Sequence, residues 1–255
     1  FLTLNASSWV MSTGSSLGKV FVCYAWEIMT TIATNLQGIR ARIANACNAA
    51  GRPVDSVSLL AVPKMFGVDA IMQAHAAGQM AFGENYIQEA VEKITALRAL
   101  PLQWHCIGPI QSNKSRLVAE HFDWVHTVDR LKIAQRLSEQ RPAHLAPLQV
   151  CIQVNIDGGP TKSGVAPGDA LELAQAVASL PGLRLRGLMC IPDIAPTFVA
   201  ACAVLMKARD LFDHINMRGL SLDTLSMGMS ADLEAAIASG SIMVRVGSAI
   251  FGQRG

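Results

Sequence analysis

Eight short apolar segments alternate with amphipathic segments along most of the chain, and this alternation restricts the possible folds more than any other feature. Between the apolar segments, apolar residues recur at helical spacing, and Asp129 and Ser230 are placed to cap two of the helices. The predicted strands are Val57–Val62, Met80–Glu84, Gln103–Ile107, Trp124–Val128, Leu148–Ile156, Leu183–Cys190, Thr224–Met227 and Ile242–Val246. Alternating strands and helices form parallel βαβ units, and eight such units predict an α/β fold, a single closed (β/α)8 barrel of the TIM type.

The repeating pattern covers residues 29–255, which we predict to form one barrel domain. The chain has 255 residues, 51% of them hydrophobic, which is enough for one large core, and no linker rich in Pro, Gly or Ser divides it. Residues 1–28 show no sustained period, so we expect a disordered or non-native lead-in. We prefer this to a signal peptide, because only Lys19 precedes the apolar run and no convincing cleavage site follows it.

Charge and cysteine usage exclude several classes of protein. The formal net charge of +2 gives no reason to expect a nucleic-acid partner. No apolar run reaches the roughly 18 residues that cross a bilayer, so we expect no membrane association. The six cysteines form neither a C-x-x-C pair nor a metal-ligand spacing, which favours a reducing, cytoplasmic compartment and no metal site.

Polar residues gather where the predicted strands end, and a barrel places its chemistry there. Lys64 follows the first strand directly. After the eighth strand, Gly247 and Ser248 open a short helix, whose backbone N–H groups can bind an anion while glycine lets a phosphate approach. Ser226, at the end of the seventh strand, can add a donor. Arg245 points to the same side of its strand as Gly247 by strand alternation.

A lysine amine that faces a phosphate site across the barrel mouth suggests pyridoxal 5′-phosphate (PLP) held as a Schiff base. Each residue also has a structural interpretation. Lys64 alone is more often an ordinary strand-end residue, and Arg245 can be an ion-pair partner. His105 and His126 lie within strands and are interpreted as satisfied interior groups.

Several segments of the chain resemble one known family. They are "LLAVPK", "FGENYIQEAVEKI", "WHCIGPIQSNKSRLVAEHFDWVHTVDR", "RLRGLMCIP" and "LSMGMSADLEAAIASGSIMVRVGSAIFG". Together they resemble the pyridoxal phosphate homeostasis proteins, the YggS/PROSC-like family, from about Met29 to the C-terminus. The resemblance implies a monomeric barrel similar to the N-terminal domain of bacterial alanine racemase, without the C-terminal β domain of that enzyme. It also implies bound PLP and a role in vitamin B6 homeostasis, with no established catalytic turnover.

The same resemblance assigns roles to individual residues. Lys64 matches the Schiff-base lysine. Ser226, Gly247 and Ser248 match phosphate-binding positions, and Arg245 matches an arginine aimed at the pyridine nitrogen.

Two further residues match positions near the site. Asn85 matches a residue near the ring, and Lys162 matches a family lysine whose role the sequence leaves open. One departure from the family is Pro63, which stands before Lys64 where the family often has a small residue; proline removes one backbone donor there.

Three functions remain open at this stage. The favoured one is a non-catalytic PLP carrier and regulator, with PLP-dependent apo-enzymes as expected recipients. The second is a PLP-dependent amino-acid racemase, and the third is a scaffold whose lysine is incidental. Racemisation needs an acid/base group on each face of the α-carbon. The chain ends at Gly255, directly after the eighth-strand segment, so we expect no second domain to supply the group opposite Lys64.

Overall fold

Eight parallel strands form a closed barrel in the computed structural model, which describes residues 16–159 and 162–252. The strands are β1 (Ser58–Ala61), β2 (Ala81–Glu84), β3 (Gln103–Cys106), β4 (Trp124–Val128), β5 (Leu148–Gln153), β6 (Leu183–Met189), β7 (Thr224–Ser226) and β8 (Met243–Val246). All eight predicted strands are confirmed, with small shifts at their ends. The TIM-type barrel is therefore the fold.

The first helix precedes β1, the other helices follow the strands, and together they cover the outside of the barrel. They are α1 (Ser16–Ala49), α2 (Val68–Ala76), α3 (Ile87–Ala96), α4 (Ser115–His121), α5 (Leu131–Gln140), α6 (Ala170–Ala178), α7 (Phe198–Met217), α8 (Leu233–Ala238) and α9 (Ser248–Phe251). The first helix buries Leu36 and Ile39 in the main core. It begins upstream of Met29, where the sequence pattern starts the domain. Residues 1–15 lie outside the described residues, so the predicted boundary between residues 28 and 29 stays a prediction.

The barrel closes by pairing of its first and last strands. Leu60 lies opposite Arg245, and Ala61 lies opposite Val246. One residue beyond this register, the Val62 N–H donates to the Val246 carbonyl at 2.8 Å. The carboxyl ends of β1 and β8 are therefore immediate neighbours.

The barrel interior is a small mixed core, distinct from the main apolar layer between strands and helices. Trp124, Cys151 and Met189 form a separate buried cluster there. The ring of His105 stacks on Trp124, with 5.2 Å between centroids and 9° between planes. Because side chains alternate along a strand, His126 shares the inward face of β4 with Trp124. The inside of the barrel thus carries two histidines that a purely apolar core would lack.

The part of the chain that the structure describes contains no membrane-spanning helix, no candidate metal site and no disulfide. No helix there has the length and hydropathy to cross a membrane. No group of three His, Cys, Asp or Glu side chains in the same ranges could hold a metal ion. Burial raises the pKa of the Cys106, Cys151 and Cys190 thiols to about 12, so these cysteines stay protonated and are poor nucleophiles.

Candidate functional site

Lys64 lies at the carboxyl end of β1 in an unusual backbone conformation. Its φ is +52°, and among the described residues it is the only non-glycine residue with positive φ. This left-handed conformation is costly for residues with a Cβ and is enriched at functional sites. The preceding Pro63 is buried, whereas Lys64 itself is exposed. The chain thus turns sharply after β1 and leaves the lysine accessible from outside.

A buried ion pair is hydrogen-bonded to the backbone of this turn. Lys93, on α3, donates to the Lys64 main-chain carbonyl at 2.6 Å and to Glu84 Oε1 at 2.8 Å. Its third partner is Glu89, at 2.7 Å, so all three N–H donors of the ammonium group are used. Lys93 therefore links the backbone of Lys64 to the ends of β2 and α3.

Glu84 is the acidic member of that pair and is fully buried. Desolvation raises the pKa of its carboxyl group to about 7, although the hydrogen bond from Lys93 and the charge of Lys93 act in the opposite direction. Oxygen Oε2 has no hydrogen-bond partner among the described residues. A buried carboxylate with an unpaired oxygen is stable mainly because the lysine compensates its charge.

Gly247 lies beside Lys64, at the end of β8. A Cβ built on Gly247 would be 2.8 Å from the Val62 carbonyl oxygen and 3.9 Å from Cε of Lys64. Any side chain here would therefore enter the space next to the lysine. Ser248 begins α9 and is exposed. The first N–H groups of a helix have no partner within it, so this edge offers backbone donors near the amine.

The predicted arrangement, with the lysine facing the phosphate site across the barrel mouth, is wrong. Closure of the barrel pairs β1 with β8, so Lys64 and Gly247 are neighbours on one side. A lysine amine and a phosphate site that together bind the aldehyde and the phosphate group of one small molecule must lie this close to each other.

Arg245 is buried in the barrel interior, with 4% of its surface exposed. One terminal nitrogen, Nη1, donates to the Ser226 carbonyl at 2.7 Å and to Ser226 Oγ at 2.8 Å, and Nη2 donates to the Cys190 carbonyl at 2.9 Å. Burial lowers the pKa of the Arg245 guanidinium from its ordinary value. An arginine nevertheless stays protonated, and two of its five N–H donors have no partner among the described residues.

Ser226, which accepts from Arg245, is fully buried at the end of β7. Its hydroxyl group contacts His126 Nδ1 at 3.0 Å as well as Arg245. The structure therefore brings Ser226 and Arg245 together inside the barrel. A contact between Ser226 and phosphate stays a prediction, as do the roles of Gly247 and Ser248.

Asn85 and Lys162 border a second part of the mouth. Asn85 follows β2 and lines a cleft of about 590 Å³ together with Tyr86, Gly108 and Ile191. Lys162 approaches the same cleft, because its ammonium group pairs with Asp193 at 2.6 Å and contacts the Ile191 carbonyl at 3.4 Å. Lys64 is not among the residues that line this cleft.

Another cavity, of about 440 Å³, opens at the other end of the barrel. Gln103, Trp124 and Gln149 line it, at the amino ends of three strands. Barrel enzymes carry their chemistry at the carboxyl ends, so we assign the site to the end that holds Lys64.

Sequence reasoning missed the Glu84–Lys93 pair, although both residues stand within "FGENYIQEAVEK". The available signal was the spacing of Glu89 and Lys93, four residues apart on one helix face. The prediction that His105 and His126 are satisfied interior groups is confirmed.

Comparison with known proteins gives a consistent result. Residues 34–255 match the family described as alanine racemase, N-terminal domain. A curated relative from Pseudomonas aeruginosa, named pyridoxal phosphate homeostasis protein, is 58% identical over 226 residues, which cover 89% of this chain and 97% of that protein. The Escherichia coli K12 protein of the same name is 53% identical over 229 residues, which cover 89% of this chain and 98% of that protein.

Solved structures agree with this. PipY of Synechococcus elongatus, with PLP bound, is 37% identical with a TM-score of 0.76, and the match covers 87% of this chain and 100% of PipY. An alanine racemase from Clostridium difficile is 14% identical with a TM-score of 0.69, covering 88% of this chain but 57% of the racemase. At that identity the likeness shows the fold alone.

Proposed function

This chain belongs to the pyridoxal phosphate homeostasis protein family, and we propose that it binds PLP covalently but reversibly through Lys64 and so serves vitamin B6 homeostasis. PipY, the relative whose structure contains PLP, supports the choice of cofactor. The exposure of Lys64 supports reversibility, because an incoming amine or a recipient apo-enzyme can reach it. PLP supplies an aldehyde that a primary amine can capture and a phosphate group that anchors the molecule.

The observation that carries the proposal is the space between Lys64 and Gly247. A Cβ at Gly247 would come within 3.9 Å of Lys64 Cε, so the absence of a side chain keeps this space open. Gly247 immediately precedes α9, and the backbone N–H groups at a helix start suit a phosphate group. The residues present therefore fit PLP, with Gly247 and Ser248 at its phosphate and Lys64 at its aldehyde.

Arg245 and Asn85 would hold the ring. Arg245 keeps two N–H donors without a described partner, which can meet a ring nitrogen as an acceptor. Because arginine stays protonated, it cannot easily give that nitrogen a proton, and an unprotonated pyridine is a weak electron sink.

The same residues favour a carrier over a racemase. Lys64 can exchange a proton on only one face of a substrate α-carbon, and a two-base reaction needs a group on each face. Glu84 is linked to the Lys64 backbone through Lys93. It is fully buried and accepts a hydrogen bond from Lys93, so it is not placed to act as the second group. We propose that the protein holds PLP without substantial catalysis.

Two measurements test this function together. PLP should bind the wild-type protein and give a visible absorption band that Lys64→Ala loses, whereas Lys162→Ala should keep it. Racemisation of alanine and serine by the PLP-loaded protein should stay far below about 1 per second, the low end for ordinary enzymes. Turnover at that rate or above, lost in Lys64→Ala, would establish a racemase instead. A wild-type protein that binds no PLP would leave only a barrel scaffold.

A further inference from the structure

An unbroken chain of hydrogen bonds crosses the barrel interior and ends at Arg245. Gln103 Oε1 lies 3.0 Å from His105 Nε2, and His105 Nδ1 lies 2.9 Å from His126 Nε2. His126 Nδ1 then lies 3.0 Å from Ser226 Oγ, which accepts from Arg245 Nη1 at 2.8 Å. Both histidines are fully buried. All four ring nitrogens are therefore used within this chain.

The orientation of the Gln103 amide sets the direction of every bond in this chain. Its Oε1 atom faces His105 Nε2 and can only accept, so with this orientation His105 carries its proton on Nε2 and accepts at Nδ1. His126 must then donate from Nε2 and accept at Nδ1, which leaves the Ser226 hydroxyl as the donor to His126. Burial lowers the pKa of both imidazoles, that of His105 to about 3, so both rings stay neutral and can each accept one bond.

This direction determines what Ser226 can do. Its single proton is given to His126, so the oxygen is free to accept from Arg245. Arg245 is held in addition by the Ser226 and Cys190 carbonyls, on the ends of β7 and β6. The guanidinium plane is thus fixed from three directions, and its remaining donors have a defined orientation.

We propose that His126, supported by His105, is a positioning residue: it holds the Ser226 hydroxyl as an acceptor for Arg245 and thereby orients Arg245 toward the ring of the bound cofactor. The inference rests on the proposed function, because it needs PLP beside Arg245. It gives Ser226 an interior role in place of a phosphate contact. A purely structural pair of histidines would stabilise the barrel equally but would leave the environment of the cofactor unchanged.

The first test needs no cofactor. Long-range ¹H–¹⁵N correlation spectra of the wild-type protein report which nitrogen of each histidine carries the proton. We expect His105 and His126 to be neutral with the proton on Nε2 near physiological pH. An imidazolium, or a proton on Nδ1 of either ring, would overturn the assigned direction and with it the inference.

The second test uses two substitutions at one position. In His126→Asn, the amide oxygen can take the place of Nδ1 and accept from Ser226, whereas His126→Leu offers no acceptor. We expect His126→Leu to bind PLP about tenfold more weakly, the worth of one net hydrogen bond, and to shift the absorption maximum of the bound cofactor. His126→Asn should restore the wild-type maximum. Ser226→Ala, which removes the same acceptor with a smaller change in volume, should reproduce the shift if His126→Leu does not fold.

The outcomes separate this inference from the proposed function. A folded His126→Leu or Ser226→Ala protein with wild-type affinity and spectrum would overturn the positioning role while PLP binding stands. A wild-type protein with the expected tautomers that binds no PLP would overturn the proposed function, and the positioning role with it.

Discussion

The ammonium group of Lys93 lies 2.6 Å from the main-chain carbonyl oxygen of Lys64 and donates a hydrogen bond to it. This contact ties the turn that carries the exposed amine to a buried ion pair between Lys93 and Glu84. The placement of Lys64 thus depends on two buried charged side chains, those of Lys93 and Glu84. Backbone strain, a buried charge pair and the proposed cofactor site meet within this one turn.

The left-handed backbone of Lys64 predicts an unusual order of stability among its variants. Glycine adopts positive φ without the steric cost that a Cβ imposes. Lys64→Gly should therefore unfold in urea with a free energy about 1 kcal/mol higher than Lys64→Ala. Both variants lack the amine and serve as each other's control. A less stable glycine variant would show that the turn is not left-handed in solution.

Removal of Lys93 should destabilise the protein strongly. Lys93→Met leaves Glu84 buried without its partner, and breaking a buried pair costs about 3 kcal/mol or more of unfolding free energy. Lys132→Met, at an exposed lysine on α5, is the matched control and should stay within about 0.5 kcal/mol of wild type. Adding Glu84→Gln to Lys93→Met should recover part of the loss in urea unfolding. Equal stability of the two lysine variants would contradict the buried pair.

Stability should depend on pH through Glu84. Burial raises its pKa in the folded protein to about 7, above the value of 4.5 for an unperturbed glutamate, so between these values the folded state binds more protons. The contribution of Glu84 is therefore fully present below about pH 4.5 and is lost as pH rises through about 7, by up to about 3 kcal/mol. The unfolding free energy of wild type minus that of Glu84→Gln should fall as the pH rises from about 4.5 to about 7. A difference that stays constant, or that rises with pH, would mean that the pKa of Glu84 is not raised.

Gly247→Val should weaken PLP binding. A Cβ there would already lie 2.8 Å from the Val62 carbonyl oxygen, and the valine methyl groups would fill the space beside Lys64. We expect at least about a tenfold loss of affinity by absorbance titration, from the loss of one or more charge-assisted contacts to phosphate. Gly168→Val is the control, since a Cβ there meets nothing within 4 Å. An intact barrel with unchanged affinity for PLP would exclude phosphate from this position.

The strands were predictable because their signal is local. Apolar runs and their spacing depend on neighbouring residues, and all eight strands follow them. Helix starts were less predictable. Asp129 was expected to cap α5, but it pairs with the Arg130 side chain, and Arg130 itself occupies the cap position. Ser230 was expected to cap α8, whose cap position is instead Asp232.

Only those features of the site that depend on where each strand ends were predictable from the sequence. Lys64 and Gly247 were correctly placed at two strand ends, but their contact depends on the closure of the barrel, which no local pattern contains. The bond between His126 and Ser226 joins residues 100 positions apart. Such a pair depends on the register of strands that are not adjacent in sequence. The Glu84–Lys93 pair was not predictable for a different reason. The residue type alone does not show whether a charged side chain is buried.

Covalent capture decides whether Lys64 is the residue that holds PLP. The protein is loaded with PLP, reduced with borohydride to make the lysine–cofactor bond permanent, and digested for mass spectrometry. We predict that the cofactor mass lies on Lys64, and that Lys64→Ala shows neither the visible absorption band nor a stoichiometric label. Lys114 lines the same cleft as Asn85. A stoichiometric label on Lys162 or Lys114, together with an absorption band that persists in Lys64→Ala, would contradict the proposed site.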